Sequence, residues 1–590
     1  MESYNNDIKS QLEQITSISL LEDLQSQDSK IKINAIHNLK GISLALGYEA
    51  TRKELFPYLK NCINNEEEDE VLIELTKILS NFYENIGGIQ YFNELLNLFE
   101  VILNIDEPTI RKEAINSMEN ILKQIGNIKD IENDLINFIK KFYNGEEINQ
   151  KITSINLIIL VYKYLDDKNN NKKILIKYLD NFIESDNITI KKEFIKEIIK
   201  IVNYLNIDYI KKIIISLIKN ENENIKIDII NLIINLKSHK DNIIILDYIY
   251  NIIQILSEDI NNNVRLYLIN NICELMKFPK INNYNYKQII LNIYIKLIQD
   301  KDEKIRNACC NNLEEITKIL KNEINFNKLL QNIQLLSKDE KIYIRNNLLD
   351  NIYKISPLLN KKQLNDIIFP IFNELIKDEN LDIKINLINN IINLMKNNII
   401  EINDNLIEKI IPSLIEISQN KSWRIKIKII NIIPNFINQT NLFLKNIFPI
   451  CLNYLTDHVY TIRDEGCKLL CELYKDITNK EYENKLIEKL NSMMNCTNYL
   501  FRNTCLIFIK YFIDKINNKI YFDFFQNKLI FFVYKLSNDK ISNVRLNCAI
   551  IFKKVENCNF KDKTNNDKIK KCIDILKKDQ DMDVINIILD

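Results

Sequence analysis

Three stretches in the last third of the chain pair aromatic side chains with cations: KSWRIK (421–426), DHVYTIR (457–463) and TNYLFRNT (497–504). They offer Trp423 and Arg424, then His458, Tyr460 and Arg463, then Tyr499, Phe501 and Arg502. Trp423 is the single tryptophan among 590 residues. Aromatic rings and guanidinium groups held at a surface anchor one protein on another. The chemistry these residues suit is therefore binding, provided the fold brings the three stretches to one edge.

Residue patterns for catalysis are missing. The chain has no Gly-rich phosphate loop, no Gly-x-Ser-x-Gly and no His-Glu-x-x-His. The pair Gly87 and Gly88 reads as a helix end, and the acidic run EEEDE (66–70) as a solvated turn. That run lacks the glycine and ligand spacing of a calcium loop. The twelve cysteines are scattered without a Cys-x-x-Cys, and only His37, His239 and His458 could add imidazole. No metal site and no cofactor is expected; the cysteines read as reduced core residues.

The elements that would position the three stretches follow from a repeat. A polar turn, an aliphatic residue, a cation and an amphipathic helix recur, as in DKDEKIRNACCNNL from Asp300 and KDENLDIKINLINNI from Lys377. The cation slot falls at Lys32, Arg111, Lys151, Lys191, Lys226, Arg265, Arg306, Arg345, Lys384, Lys426, Arg463, Arg502 and Arg545. Leu72 and Ile585 fill it in two further copies. Fifteen slots between 32 and 585 give a mean spacing of about 39.5 residues, the period of HEAT and armadillo helix pairs. In 383–394 the apolar residues 383, 385, 387, 388, 391, 392 and 394 mark one buried helical face. No such unit buries its apolar face alone, so stacking must do so. The expected fold is all-α: a single superhelical α-solenoid of about 15 HEAT repeats over 1–590, each an antiparallel helix pair. Pro57, Pro370, Pro412 and Pro449 should kink first helices. A turn Asp followed by a slot cation, repeated in each layer, could also form a ladder of charge-assisted bonds between repeats.

Composition agrees. Seven glycines and eight prolines are too few for sheets and long loops. Lys+Arg and Asp+Glu are 79 each, so no basic excess draws nucleic acid or an anionic membrane. The abundant Ile, Asn and Lys read as compositional bias. The polar N-terminus and the scattered cysteines point to a reducing compartment, the cytoplasm with the nucleus as a second location.

LALGYEATRKELFPYL (44–59), EDEVLIEL (68–75), KDENLDIKINLINNI, SWRI, DHVYTIRDE, NYLFR, NVRLN and KDQDMDV resemble the scaffold (A) subunits of protein phosphatase 2A, which are HEAT-repeat proteins. Through 120–290 only the periodicity carries the likeness. The resemblance implies a chain without activity of its own, in a heterotrimer. Residues of about 400–590 would hold the phosphatase catalytic subunit. Those of about 1–300 would hold an exchangeable regulatory (B-type) subunit. Carried over residue by residue, the catalytic-subunit strip is Trp423, Arg424, Tyr460, Tyr499, Phe501 and Arg502, with Asn543 on the next turn. The regulatory strip is Glu70, Asp106, Glu107, Lys191 and Lys192. The chain departs from the family with Asn262 in place of a tryptophan, Lys191 and Lys192 in place of an arginine pair, Ser422 in place of a lysine, and a short last helix. The competing expectation is a nuclear-transport-type HEAT receptor for cargo and a small GTPase.

Overall fold

The computed structural model describes residues 22–166, 169–239, 242–277, 284–321, 326–400, 404–436, 441–474, 480–556 and 563–589. They are helical and contain no strand. The chain is an α-solenoid of helix pairs and divides into two compact units, residues 1–297 and 298–590.

The second helix of each pair starts three residues before its slot residue, and these helices are numbered here by repeat. In the first unit they are α1 (Ser29–Ala50), α2 (Asp69–Leu79), α3 (Pro108–Ile125), α4 (Ile148–Tyr162), α5 (Ile188–Ile198), α6 (Glu223–Asn235) and α7 (Asn262–Asn270). In the second they are α8 (Glu303–Leu320), α9 (Ile342–Ile355), α10 (Leu381–Lys396), α11 (Trp423–Ile432), α12 (Tyr460–Leu473), α13 (Tyr499–Ile513), α14 (Ser542–Val555) and α15 (Met582–Leu589).

Local chemistry starts each second helix. In the eighth repeat Asp300 Oδ1 accepts the Asp302 N–H at 2.9 Å, which closes the turn. Asp302 then caps α8 by accepting the Lys304 N–H at 2.7 Å. Asparagine caps five further second helices, at Asn187, Asn222, Asn261, Asn380 and Asn498, whereas Lys341, Ser422, Val459 and Ile541 at the same position make no side-chain cap. The abundant asparagines thus carry structural work that composition alone hides.

The apolar face expected in the tenth repeat forms as read: Ile383, Ile385, Leu387, Ile388, Ile391, Ile392 and Leu394 are all buried. Pro57 and Pro370 follow single π-turns, Thr51–Leu55 and Leu364–Ile368. A wider turn gives room for a ring that cannot donate an N–H. Pro412 and Pro449 lie inside helices Asp404–Ser418 and Asn441–Tyr454. Pro434 is one of the prolines that sequence reading passed over. It ends α11 at Ile432 and turns Ile433–Phe436 into a 3-10 segment.

Candidate protein-binding ridge

The slot cations build an inter-repeat ladder. Arg306 Nε and Nη2 clasp Asp339 of the next turn at 2.6 and 3.1 Å. Arg345 clasps Asp378 at 2.6 and 3.0 Å, Arg502 clasps Asp539 at 2.6 and 2.9 Å, and Arg545 clasps Asp579 at 2.6 and 2.7 Å. Each of these arginines also donates Nη1 to the carbonyl six residues back, for example Arg345 to Asp339 O at 2.6 Å. One guanidinium thus shapes its own turn and grips the following one. Lysine rungs carry one ammonium each: Lys32 donates to both Glu66 oxygens at 2.8 and 3.1 Å, while Lys226 to Asp259 and Lys426 to Asp457 are single bonds at 2.6 Å.

Electrostatics follow this geometry. The bonds from Arg545 hold the Asp579 carboxyl below its usual range. For Asp539 burial pushes upward, but the Arg502 bonds, the Ile541 N–H and the neighbouring cations outweigh it and the net shift is down. Asp457 behaves likewise, with Lys426 as the opposing partner.

Arg463 and Arg502 belong to this frame. Arg463 is only 4% exposed. It donates Nε to Thr504 Oγ1 at 3.1 Å and Nη1 to Asp457 O and His458 O at 2.9 and 3.1 Å. The turn position that elsewhere carries Asp is here Cys496. Arg502 is half-buried on Asp539. Both guanidiniums position the ridge from below.

Trp423, Tyr460 and Tyr499 occupy one equivalent place, the first residue of α11, α12 and α13. They are 40%, 58% and 39% exposed. A first-turn residue projects beyond the packed helix face, so an identical position in consecutive repeats makes a row. Exposed Arg424 lies with its guanidinium carbon 4.9 Å from the Trp423 ring centre, and Arg463 sits 5.7 Å from that of Tyr460. Exposed His458 places Nδ1 3.2 Å from Asp457 Oδ1. Phe501 is half-buried, whereas its neighbour Leu500 is exposed. Asn543 is exposed in the first turn of α14, next to exposed Ile541. Leu500 and Ile541 escaped sequence reading because an isolated aliphatic residue on a turn has no distinguishing spacing.

The first-unit candidates are dispersed over several turns. Glu70 is exposed in the first turn of α2. Asp106 accepts from Asn149 at 3.1 Å, and Glu107 caps α3 through the Thr109 N–H at 3.2 Å. Lys191 and Lys192 are half-buried on α5. Within EEEDE, Glu66 is committed to Lys32 and Glu68 accepts from the Ser29 hydroxyl. Gly87 adopts φ 97° after the 3-10 turn Glu84–Ile86, the helix-end role read for it. In the second unit an open groove of about 820 Å³ lies between the turns of repeats 8 and 9, lined by residues such as Lys301, Glu303, Lys338 and Lys341. No group of three His, Cys, Asp or Glu among the described residues could hold a metal ion. No helix among them is long and apolar enough to cross a membrane.

Comparison with known proteins adds the following. The HEAT repeat family matches residues 290–320. The protein phosphatase 2A scaffold subunit of Dictyostelium discoideum is 36% identical over 108 residues, 18% of either chain. The serine/threonine-protein phosphatase PP2A 65 kDa regulatory subunit of Drosophila melanogaster is 35% identical over 102 residues, 17% of either chain. The matched stretch therefore spans less than a fifth of these relatives. Among solved structures, the Kap95:Nup1 complex aligns over 98% of this chain and 81% of that one, at 12% identity and a TM-score of 0.48. Kap95p in its complex with RanGDP aligns over 97% and 79%, at 10% identity and 0.43.

Proposed function

We propose that the chain is a non-catalytic scaffold that assembles a protein phosphatase 2A-type serine/threonine phosphatase. The turns of repeats 11–14 receive the catalytic subunit, and those of repeats 2–5 receive an exchangeable regulatory subunit. The observation that carries this reading is the row of exposed aromatics at one helical position in three consecutive repeats. The names of the partly matching relatives point the same way.

In this reading Trp423, Tyr460 and Tyr499 enter apolar hollows of the catalytic subunit, flanked by Arg424, His458, Phe501 and Asn543. Arg463 and Arg502 keep the turns in shape. Glu70, Asp106, Glu107, Lys191 and Lys192 present charge to the regulatory subunit. The scaffold contributes no chemistry; it raises the concentration of one partner near the other to about the mM range.

Affinity capture on the purified chain, with bound proteins identified by mass spectrometry, tests the proposal. Recovery of a phosphatase catalytic subunit with a regulatory subunit supports it. Recovery of a small GTPase with transport cargo, and no phosphatase, overturns it in favour of a transport receptor.

A further inference from the structure

We propose that the second unit carries a built-in hinge at the junction of repeats 10 and 11, latched by the Lys384–Glu416 ion pair. Three independent features meet there, and none of them depends on the scaffold reading.

The first is the rung itself. Lys384 makes one bond to Glu416 at 2.6 Å, and the Glu416 side chain is 58% exposed. The carboxylates of the other acidic rungs of this unit, Asp339, Asp378, Asp457, Asp539 and Asp579, are 5–8% exposed. The turn position that would hold the acid is Asn420, which closes its own turn by accepting the Ser422 N–H at 2.8 Å. The acid has moved onto the preceding helix, Asp404–Ser418. The Lys384 side chain is only 6% exposed, so water and salt reach this single bond from the Glu416 side, whereas a bidentate pair buried at its carboxylate is screened far less.

The second is helix length. α11 has 10 residues, while α8, α9, α10, α12, α13 and α14 have 14 to 18. The cause is Pro434, which cannot donate to a carbonyl one turn back and disfavours helix at the residue before it. Accordingly α10 and α11 meet at fewer points than any other consecutive pair of second helices in this unit.

The third is the cross-link on the face of the second helices. Asn347 donates to Asn307 at 2.8 Å between repeats 8 and 9, and Asn386 to Asn346 at 2.7 Å between 9 and 10. Between 10 and 11 that place is taken by Lys428 and Asp382 at 2.9 Å, both largely in water. Across this junction one ion pair thus lies in water at both ends, and the other is open to water at its carboxylate end. In a nearest-neighbour stack the weakest interface opens first. Opening there would swing the Trp423, Tyr460 and Tyr499 row against repeats 8–10 without melting either side.

Hydrogen exchange of the full-length chain, read by mass spectrometry at low salt and at 1 M NaCl, tests this. At 1 M the Debye length falls to about 3 Å, so a solvent-facing latch should weaken while buried rungs hold. The expected result is protection in α11 at least tenfold below that in α9 and α13. It should drop several-fold further with salt at α11 alone. The double variant Lys384→Arg, Asn420→Asp rebuilds a bidentate buried rung and should raise protection in α11 about tenfold. Pro434→Ala lengthens α11 and should act in the same direction. Even protection across α9–α13 in the natural chain overturns the hinge. So does a salt effect spread over all junctions, or a folded rebuilt variant whose exchange is unchanged. Should the variants not fold, the salt comparison on the natural chain decides.

Discussion

Asp539→Asn is the sharpest probe of the ladder. Asp539 accepts Arg502 Nε and Nη2 at 2.6 and 2.9 Å and the Ile541 N–H at 3.0 Å. Its side chain is 7% exposed and that of Arg502 is 15%. The amide preserves size and can still accept from Ile541. It removes the charge and turns an N–H₂ group toward guanidinium donors. Breaking a buried pair by changing one partner costs about 3–5 kcal/mol. Because Arg502 keeps some access to water and its bonds to Cys496 O and Thr497 O, the lower end applies, about 3 kcal/mol. Contacts in a repeat stack are with nearest neighbours, so the loss should be local to repeats 13 and 14. Hydrogen exchange should then rise roughly 100-fold in α13 and α14, since every 1.4 kcal/mol is tenfold. Repeats 8–10 should not change. A rise below about fivefold, or an equal rise in every repeat, would refute the ladder as the element that couples consecutive turns.

Other outcomes follow from the same geometry. Asp457, Asp539 and Asp579 have depressed carboxyl pKa values in the folded chain; their stabilisation is therefore present above the unfolded value of about 3.9 and lost as pH falls through the folded values. Thermal melts should fall steeply only below about pH 4, and a midpoint loss centred near pH 6 would contradict this. Cys496→Asp places a carboxylate where Arg463 lacks one and should slow exchange in α12 and α13 by roughly fivefold, the effect of about 1 kcal/mol; faster exchange would count against the slot assignment. Gly466→Ala sets a Cβ 2.8 Å from Tyr454 Cβ, so the twelfth repeat should lose about 1–3 kcal/mol, read by a lowered melting step. Burial raises the Cys451 and Cys505 thiols to about 12, so thiol labelling of the native chain should spare both and modify the partly exposed Cys62, Cys496 and Cys572 before them.

Much of the fold was legible because its determinants are local and periodic. The slot cations and the Asp six residues before them stand at fixed distance in the turns at Asp300, Asp339, Asp378, Asp457 and Asp539, and Asp579 stands at the same distance before Ile585. That recurrence announces a ladder before any coordinate is seen. The aromatic row was legible for the same reason: Trp423, Tyr460 and Tyr499 share a position relative to the slot. What the pattern could not show is which cations face inward. Arg424 and Arg463 both fall in the binding stretches of the sequence, yet one is exposed and the other buried, because only the latter fills the slot above its own turn carbonyls. The capping role of asparagine was hidden by its abundance, and the effect of Pro434 by the expectation that prolines matter in first helices.

Direct titration of the purified chain with a protein phosphatase 2A-type catalytic subunit, followed by calorimetry, bears most closely on the proposed scaffold role. The ridge leads us to expect a one-to-one complex. Trp423→Ala should weaken it by ~30-fold or more, the ~2 kcal/mol scale of a hot spot. Adding Tyr460→Ala and Tyr499→Ala should abolish it, with hydrogen exchange in repeats 2–9 unchanged. No complex with the natural chain, or equal affinity for the triple variant, would contradict the assignment of this ridge to the catalytic subunit.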